Sequence, residues 1–130
     1  MNPLEILQKQ FGYTSFRLHQ EAIIQSVLDR KDTFVLMPTG AGKSLCYQVP
    51  ALMVQGVTVV VSPLIALMKD QVDTLRLNGI AAAYINSTQT WREQDEILRE
   101  ARAGKLKLLY LAPEKLLGNA MAFLRTLEAI

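Results

Sequence analysis

Residues 38–44 read Pro-Thr-Gly-Ala-Gly-Lys-Ser, and these residue types are suited to binding phosphate. The segment follows an apolar run at 33–37 and precedes a helix-compatible run at 45–48. A glycine-rich turn between a strand and a helix can direct backbone N–H groups at phosphate oxygens, and the helix N-terminus adds partial positive charge. A lysine ammonium reaches the outer phosphates and a hydroxyl can bind Mg²⁺. The segment therefore predicts a site for a nucleoside triphosphate.

The pattern departs from the complete phosphate-loop motif at one position, because Met37 stands where the motif begins with glycine. A glycine hairpin with a surface lysine is the alternative, and the strand before and the helix after favour the phosphate site. We predict that Lys43 and Ser44 are catalytic and that Ser44 also holds Mg²⁺. The predicted nucleotide-binding residues of the loop are Pro38, Thr39, Gly40, Ala41, Gly42, Lys43 and Ser44.

Composition limits the class of protein. The chain has 130 residues, half of them apolar, which is enough for one core and predicts a single domain. A net charge of +2 neither requires nor excludes a nucleic-acid partner. The single cysteine, Cys46, cannot form an internal disulfide and is predicted to be a buried thiol in a reducing compartment. No signal peptide or membrane-length apolar run is present, so we expect a soluble cytoplasmic protein, in a bacterial-type cytosol or nucleoid.

Apolar periodicity predicts an alternation of helices and strands along most of the chain. An unbroken β-branched run at 57–61 is typical of a strand covered on both faces. Such alternation predicts a right-handed parallel α/β sheet with its ligand at the carboxyl ends of the strands. The predicted helices lie at 3–10, 18–28, 45–55, 64–77, 91–103 and beyond 113, and the strands at 33–37, 57–61, 80–85 and 106–111.

Residues upstream of the loop could recognise a base. Gln20 can pair with the N6 and N7 edge of adenine, while Tyr13 and Arg17 offer faces for stacking. The alternative for Tyr13 and Phe16 is that they staple the first helix to the core.

Five segments of the chain closely resemble the RecQ branch of superfamily 2 DNA helicases, in the same order. Val59 to Val72, which contains Ser-Pro-Leu-Ile-Ala-Leu-Met-Lys-Asp-Gln, is much more specific than the phosphate loop. The resemblance implies a RecA-like, three-layer parallel-sheet P-loop NTPase fold, and it also accounts for Met37, which is common in this branch. The resembling segments are Phe11 to Gln20, Met37 to Gln48, Val59 to Val72, Asn86 to Gln89 and Tyr110 to Leu116.

The resemblance also implies site residues. Tyr13, Arg17 and Gln20 would hold adenine, and two later segments would lie along the sugar-phosphate backbone of single-stranded DNA. The implied nucleic-acid contacts are Ser62, Pro63, Leu64, Lys69, Gln71, Ala112 and Pro113.

Several of these residues have a structural alternative. Lys69 and Asp70 could form an ordinary solvated helix face, and Ser62 and Thr88 could cap helices. His19 is expected to be a surface or half-buried residue without chemistry. Trp91 could stack on a base, but the packing of its indole against the protein is the favoured expectation.

Hydrolysis requires further carboxylates and an arginine finger. No predicted strand runs into an Asp-Glu pair, and Glu114 matches a different motif, so we do not assign it to Mg²⁺. We therefore expect residues 1–130 to be the N-terminal portion of the first helicase ATP-binding domain, an incomplete domain truncated before the Asp-Glu-Ala-His motif. Such a fragment is expected to be marginally stable and prone to association, since apolar groups would face water.

The implied function is ATP-dependent 3′ to 5′ DNA unwinding by a parent protein in replication, recombination and repair. ATP and Mg²⁺ would be its cofactors, and its partners would be single-stranded or junction DNA and a second RecA-like domain. One alternative is a catalytically inert module that binds ATP or DNA. Another is a small-molecule phosphotransferase, which leaves the segment at 59–72 unexplained.

Overall fold

The computed structural model describes residues 2–17, 19–36 and 42–115. The chain divides into two compact units, residues 1–55 and residues 56–130. Composition predicted one core, whereas the buried apolar clusters found among the described residues each lie within a single unit. The two units are therefore described separately.

The regular secondary structure described in the first unit consists of three helices: α1 (Pro3–Phe11), α2 (Gln20–Leu28) and α3 (Leu45–Met53). Asn2 caps α1 by accepting a hydrogen bond from the Glu5 N–H at 2.9 Å, and Gly12 ends the helix in the left-handed conformation with φ +77°. The helices pack around four buried residues, Ile6, Leu7, Ile24 and Val49. The helix predictions are confirmed, with ends that differ by one or two residues.

The strand predicted at 33–37 is wrong for the residues that the structure describes. Residues 33–36 have no regular secondary structure, and the side chains of Phe34 and Leu36 are 92% and 89% exposed. A strand requires a neighbour to accept and donate its backbone hydrogen bonds, and among the described residues this segment has none. Met37 lies outside the described residues.

The second unit contains a parallel sheet, as predicted. Strands β1 (Thr58–Val61), β2 (Ala82–Ile85) and β3 (Leu108–Leu111) lie in the order β1-β3-β2. Helix α4 (Ile65–Leu77) connects β1 to β2, and α5 (Trp91–Arg102) connects β2 to β3. A short 3₁₀ turn (Pro113–Lys115) follows β3, and the rest of the helix predicted beyond 113 lies outside the described residues.

Burial of the strands differs from the prediction for β1. All four residues of β3, the central strand, are buried, and one sheet face packs against the side chains of Ile97, Leu98 and Ala101 from α5. In β1, by contrast, Val59 and Val61 are exposed, so this strand is not covered on both faces. The β-branched run at 57–61 correctly predicted a strand, but strand propensity does not determine what covers each face of the sheet.

Side chains cover the outer edge of β2. Alternate residues of β2 bond to β3, which leaves the backbone groups of Ala82, Tyr84 and Asn86 pointing away from the sheet. Arg76 Nε donates to the Ala82 carbonyl at 2.9 Å. Gln89 donates from Nε2 to the Tyr84 carbonyl at 2.8 Å and accepts at Oε1 from the Asn86 N–H at 3.1 Å. The Gln89 amide thus takes the place of a neighbouring strand and blocks further pairing.

We predict that Gln89→Ala lowers the free energy of unfolding by about 1–3 kcal/mol, because it leaves two partly buried backbone groups without partners. Gln89→Glu should cost a similar amount, since a carboxylate cannot donate to the Tyr84 carbonyl. Urea denaturation measures both, and Ser87→Ala at the exposed neighbouring position is the control. Equal stability of the Gln89 and Ser87 variants would show that the edge does not depend on this amide.

Candidate nucleotide and nucleic-acid sites

The described part of the phosphate loop forms the start of α3. The Gly42 carbonyl accepts from the Leu45 N–H at 3.2 Å, the Lys43 carbonyl from Cys46 at 3.0 Å, and the Ser44 carbonyl from Gln48 at 3.0 Å. Because these carbonyls point into the helix, the N–H groups at the same end point the opposite way, outward from the helix N-terminus. Lys43 is exposed and Ser44 half-buried. Pro38, Thr39, Gly40 and Ala41 lie outside the described residues.

Gln20 joins the predicted adenine segment to the phosphate loop. Its side chain is 2% exposed, and its Nε2 donates to the Gly42 carbonyl at 3.1 Å. Its Oε1 accepts from the Arg17 N–H at 2.8 Å. Sequence reasoning assigned this amide to adenine alone and missed its role inside the protein.

Gly42 has a backbone conformation that favours glycine. Its φ is +76°, and a Cβ at this position would collide with Gln20 Nε2. The positive φ therefore disfavours a side chain at residue 42, and an added Cβ would also force the Gln20 amide to move. The glycine in the motif was the one sequence signal that could have indicated a close neighbour here.

Tyr13 and Arg17 lie on a short segment that the first unit holds in place. The Tyr13 N–H donates to the Leu7 carbonyl at 3.3 Å, and Gln8 Nε2 donates to the Thr14 carbonyl at 3.1 Å. Phe16 packs against the helical core, which matches the structural alternative for this residue. Tyr13 is 52% exposed and Arg17 is also exposed, so both side chains can be reached by a ligand. His19 is exposed too, as expected.

Cys46 lies in the first turn of α3 and is buried against Ile23 and Val35, as predicted. Burial raises the pKa of its thiol by desolvation, which disfavours the reactive thiolate. Cys46 is therefore a packing residue beside the phosphate loop.

The candidate nucleic-acid residues lie mainly at the carboxyl edge of the sheet. The Ser62 N–H donates to the Leu111 carbonyl at 3.0 Å and the Ala112 N–H to the Ile85 carbonyl at 3.2 Å, so the ladder continues one residue past each strand. Neighbouring strands lie about 4.8 Å apart. The segments that start at Ser62, Asn86 and Ala112 are therefore adjacent. Pro63 and Leu64 are exposed there, while Ala112 is buried and Pro113 half-buried.

Two candidate residues lie further along α4. Lys69 Nζ forms an exposed ion pair with Asp73 at 2.9 Å, and this hydrogen bond raises the pKa of Lys69. The helix face around Lys69 and Asp70 is solvated, which matches the structural alternative for these residues. Gln71 is half-buried and already has an interaction within the protein.

The helix-capping alternatives for Ser62 and Thr88 are wrong. Ser62 Oγ accepts from the Leu64 N–H at 3.2 Å in a turn, and Leu64 itself occupies the N-cap position of α4. Thr88 bonds to the buried Asn86 side chain through both its N–H and its hydroxyl. Thr90 caps α5 instead and forms a capping box with Glu93, a pattern that the Thr-x-x-Glu spacing could have revealed.

Trp91 differs from its expected packing role. Its side chain is 86% exposed at the first position of α5, and the apolar stripe of that helix starts further along, at Ile97.

Comparison with known proteins identifies the family. The sequence signature of DEAD/DEAH box helicases matches residues 17–130. The chain belongs to the DEAD/DEAH box helicase family. Its fold class is accordingly the RecA-like P-loop α/β fold, as predicted.

The resemblance to the RecQ branch is confirmed by similar proteins of that name. The chain is 55% identical over 114 residues to ATP-dependent DNA helicase RecQ of Pasteurella multocida, and this alignment covers 88% of the chain and 18% of the relative. It is 52% identical over 117 residues to the Haemophilus influenzae RecQ, with 90% and 19% covered. The Bacillus subtilis RecQ is 51% identical over 126 residues, with 96% and 21% covered. The chain thus spans about a fifth of the length of these relatives.

Two observations bear on ligands and membranes. Among the described residues, no cluster of three or more His, Cys, Asp or Glu side chains could hold a metal ion. None of the described helices combines the length and apolarity that crossing a bilayer requires.

We predict that Gly42→Ala destabilises the protein more than Gly12→Ala does. Both glycines have φ near +77°, so each alanine costs about 1–2 kcal/mol of backbone strain. Only the new methyl at residue 42 also collides with Gln20, because nothing lies within 4 Å of a Cβ at Gly12. The measurement is the free energy of unfolding in urea.

A double-mutant cycle isolates the collision. In a Gln20→Ala background, the extra cost of Gly42→Ala over Gly12→Ala should disappear. An unchanged extra cost in that background would contradict the contact between residues 20 and 42.

Proposed function

We propose that these residues are the ATP-binding segment of a RecQ-type 3′ to 5′ DNA helicase that acts in replication, recombination and repair. The observation that carries the proposal is the hydrogen bond between Gln20 and Gly42, because it fixes the adenine segment beside the phosphate loop. The names of the similar proteins, which are ATP-dependent DNA helicases, support the same activity.

The described residues fit a nucleotide phosphate group. A glycine with positive φ, outward-pointing N–H groups at the start of α3 and an exposed lysine form a donor set suited to an anion. Lys43 would pair with the outer phosphates, and Ser44 would supply one hydroxyl ligand to Mg²⁺. Bound Mg²⁺ would neutralise negative charge on the phosphate oxygens. Pro38, Thr39, Gly40 and Ala41 complete the proposed binding loop.

Adenine would lie against the segment that holds Tyr13 and Arg17. The exposed ring of Tyr13 offers a stacking face, and the exposed guanidinium of Arg17 offers a second one. Gln20 is buried, so it would act indirectly, by positioning the loop through Gly42 and the segment at Arg17. This arrangement links the recognition of the base to the placement of the phosphates.

The proposed nucleic-acid track runs along the carboxyl edge of the sheet in the second unit. Ser62, Pro63 and Leu64 form one part of it, and the half-buried Pro113 forms the adjacent part. Ala112 is fully buried, so it would support Pro113 and would not itself contact the strand. Lys69 and Gln71 on α4 are the more distant contacts. Single-stranded or junction DNA is the proposed ligand, a second RecA-like domain the proposed partner, and the cytosol or nucleoid the proposed location.

We expect the 130 residues to bind ATP without appreciable turnover. Neither the two carboxylates nor the arginine finger of the reaction is assigned to any described residue, and Glu114 remains unassigned as a metal ligand. ATP binding without phosphate release is the expected result of incubating the purified chain with ATP and Mg²⁺. Rapid hydrolysis of ATP by the purified chain alone would contradict the expectation of binding without turnover.

Lys43→Ala should weaken binding of both ATP and inorganic triphosphate by about 10- to 100-fold, because it removes a charge-assisted contact to phosphate. Isothermal titration calorimetry of the chain measures both affinities. Lys31→Ala removes an exposed lysine of the same unit and should leave them unchanged. Equal affinities for the Lys43 and Lys31 variants would rule out the phosphate site.

Tyr13→Ala should weaken ATP binding by about 2- to 10-fold and leave triphosphate binding unchanged, because the ring would contact only the base. Tyr13→Phe keeps the stacking face and should retain the ATP affinity. The same titrations test this. A parallel loss of triphosphate affinity would place Tyr13 outside the base site and in a supporting role.

A further inference from the structure

Trp91 is an exposed aromatic side chain on a well-supported backbone. Thr90 and Glu93 close a capping box around the start of α5, with hydrogen bonds of 3.2 Å in each direction. Gln94 Nε2 donates at 3.2 Å to both the Asn86 and the Gln89 carbonyls. The backbone on both sides of the indole is therefore held by hydrogen bonds, and the exposure of Trp91 is a feature of the folded helix.

The topology of the second unit places Trp91 at the carboxyl edge of the sheet. Helix α5 starts after the carboxyl end of β2 and leads back to the amino end of β3. Its first residue therefore lies on the edge from which Ser62, Asn86 and Ala112 emerge. This is the edge assigned above to the nucleic-acid track, so the inference rests on the proposed function.

The charges around Trp91 favour a base as its contact. The groove beside the indole is lined by two guanidiniums and two carboxylates, and one of these pairs, Arg99 with Asp95, is an ion pair of 3.0 Å. A surface with balanced charge gives little attraction to the phosphate backbone. Every nucleobase has a neutral face that can stack on an indole, so this contact does not depend on the DNA sequence. Each such stack is worth about 1–3 kcal/mol. The groove is lined by Trp91, Arg92, Asp95, Glu96 and Arg99.

We propose that Trp91 is a base-stacking residue for the single strand that follows the carboxyl edge of the sheet. The track residues at 62–64 and Pro113 would hold the backbone, and the indole would hold one unpaired base. Trp91 is then a contact that adds affinity without adding charge. This role is separate from the ATP site in the first unit.

The chain itself provides the probe, because Trp91 is its only tryptophan. Titration of the 130-residue chain with an oligodeoxythymidylate should quench the indole fluorescence in step with the anisotropy of a labelled copy of the oligonucleotide. Trp91→Ala should weaken the affinity by about 5- to 100-fold, and Trp91→Phe should retain most of it. The slope of log affinity against log salt should stay the same in Trp91→Ala, since no phosphate contact is lost.

Leu77→Ala is the matched control. Leu77 is 87% exposed and ends α4 at the opposite, amino edge of the sheet. Its substitution should leave the affinity for the oligonucleotide unchanged. An equal loss in Leu77→Ala and Trp91→Ala would show a general effect of removing surface apolar area and would overturn the proposal.

The remaining outcomes separate this proposal from the proposed function. If the chain binds the oligonucleotide but the indole is not quenched and Trp91→Ala has normal affinity, the stacking role fails and the proposed function stands. If the chain binds ATP but no oligonucleotide, the stacking role and the nucleic-acid track both fail. A blue shift of the indole emission that depends on chain concentration alone would identify Trp91 as a self-association contact and overturn the stacking role.

Discussion

The hydrogen bond from the Gln20 amide to the Gly42 carbonyl is the constraint on which the proposed nucleotide site depends. The amide is buried, and its other end accepts from Arg17. Helices α2 and α3 share the core residues Ile24 and Val49, so packing fixes the distance that the amide must span. A buried amide that lost this partner would pay a desolvation cost, which keeps the two segments together. In the proposed site, adenine recognition and phosphate binding would therefore be coupled through one side chain.

At the carboxyl edge of the sheet in the second unit, one set of side chains holds the backbone in place and a different set is exposed to ligands. Asn86, Gln89 and Gln94 use their polar groups to hold the backbone that follows β2. Among the described residues, no buried side-chain polar atom lacks a hydrogen-bond partner, so the supporting network is complete. The exposed side chains on this frame, Trp91 among them, are thereby held where a ligand can reach them. Because this backbone is already held in place, less conformational entropy is lost when a ligand binds.

The two edges of the sheet differ in how they are protected. Arg76 and Gln89 occupy the hydrogen-bonding groups at the outer edge of β2, which makes it a closed edge. No such side-chain hydrogen bond to Val59 or Val61 of β1 is found among the described residues, and the side chains of both valines are exposed. Exposed apolar groups on an open edge favour association. The expectation of marginal stability is consistent with this surface and remains a prediction.

Sequence alone determined the described helices, the parallel alternation of helices and strands in the second unit, and the phosphate-loop and RecQ-like motifs. Caps, glycines and apolar periodicity act within a few residues, so local sequence is enough to predict them. Tertiary structure decided the absence of a strand at 33–36, the exposed face of β1 and the exposure of Trp91. It also decided that Gln20 bonds to Gly42, twenty-two residues away. Strand pairing, burial and hydrogen bonds of this kind depend on which segments, distant in the sequence, come into contact. Local sequence patterns do not determine those contacts.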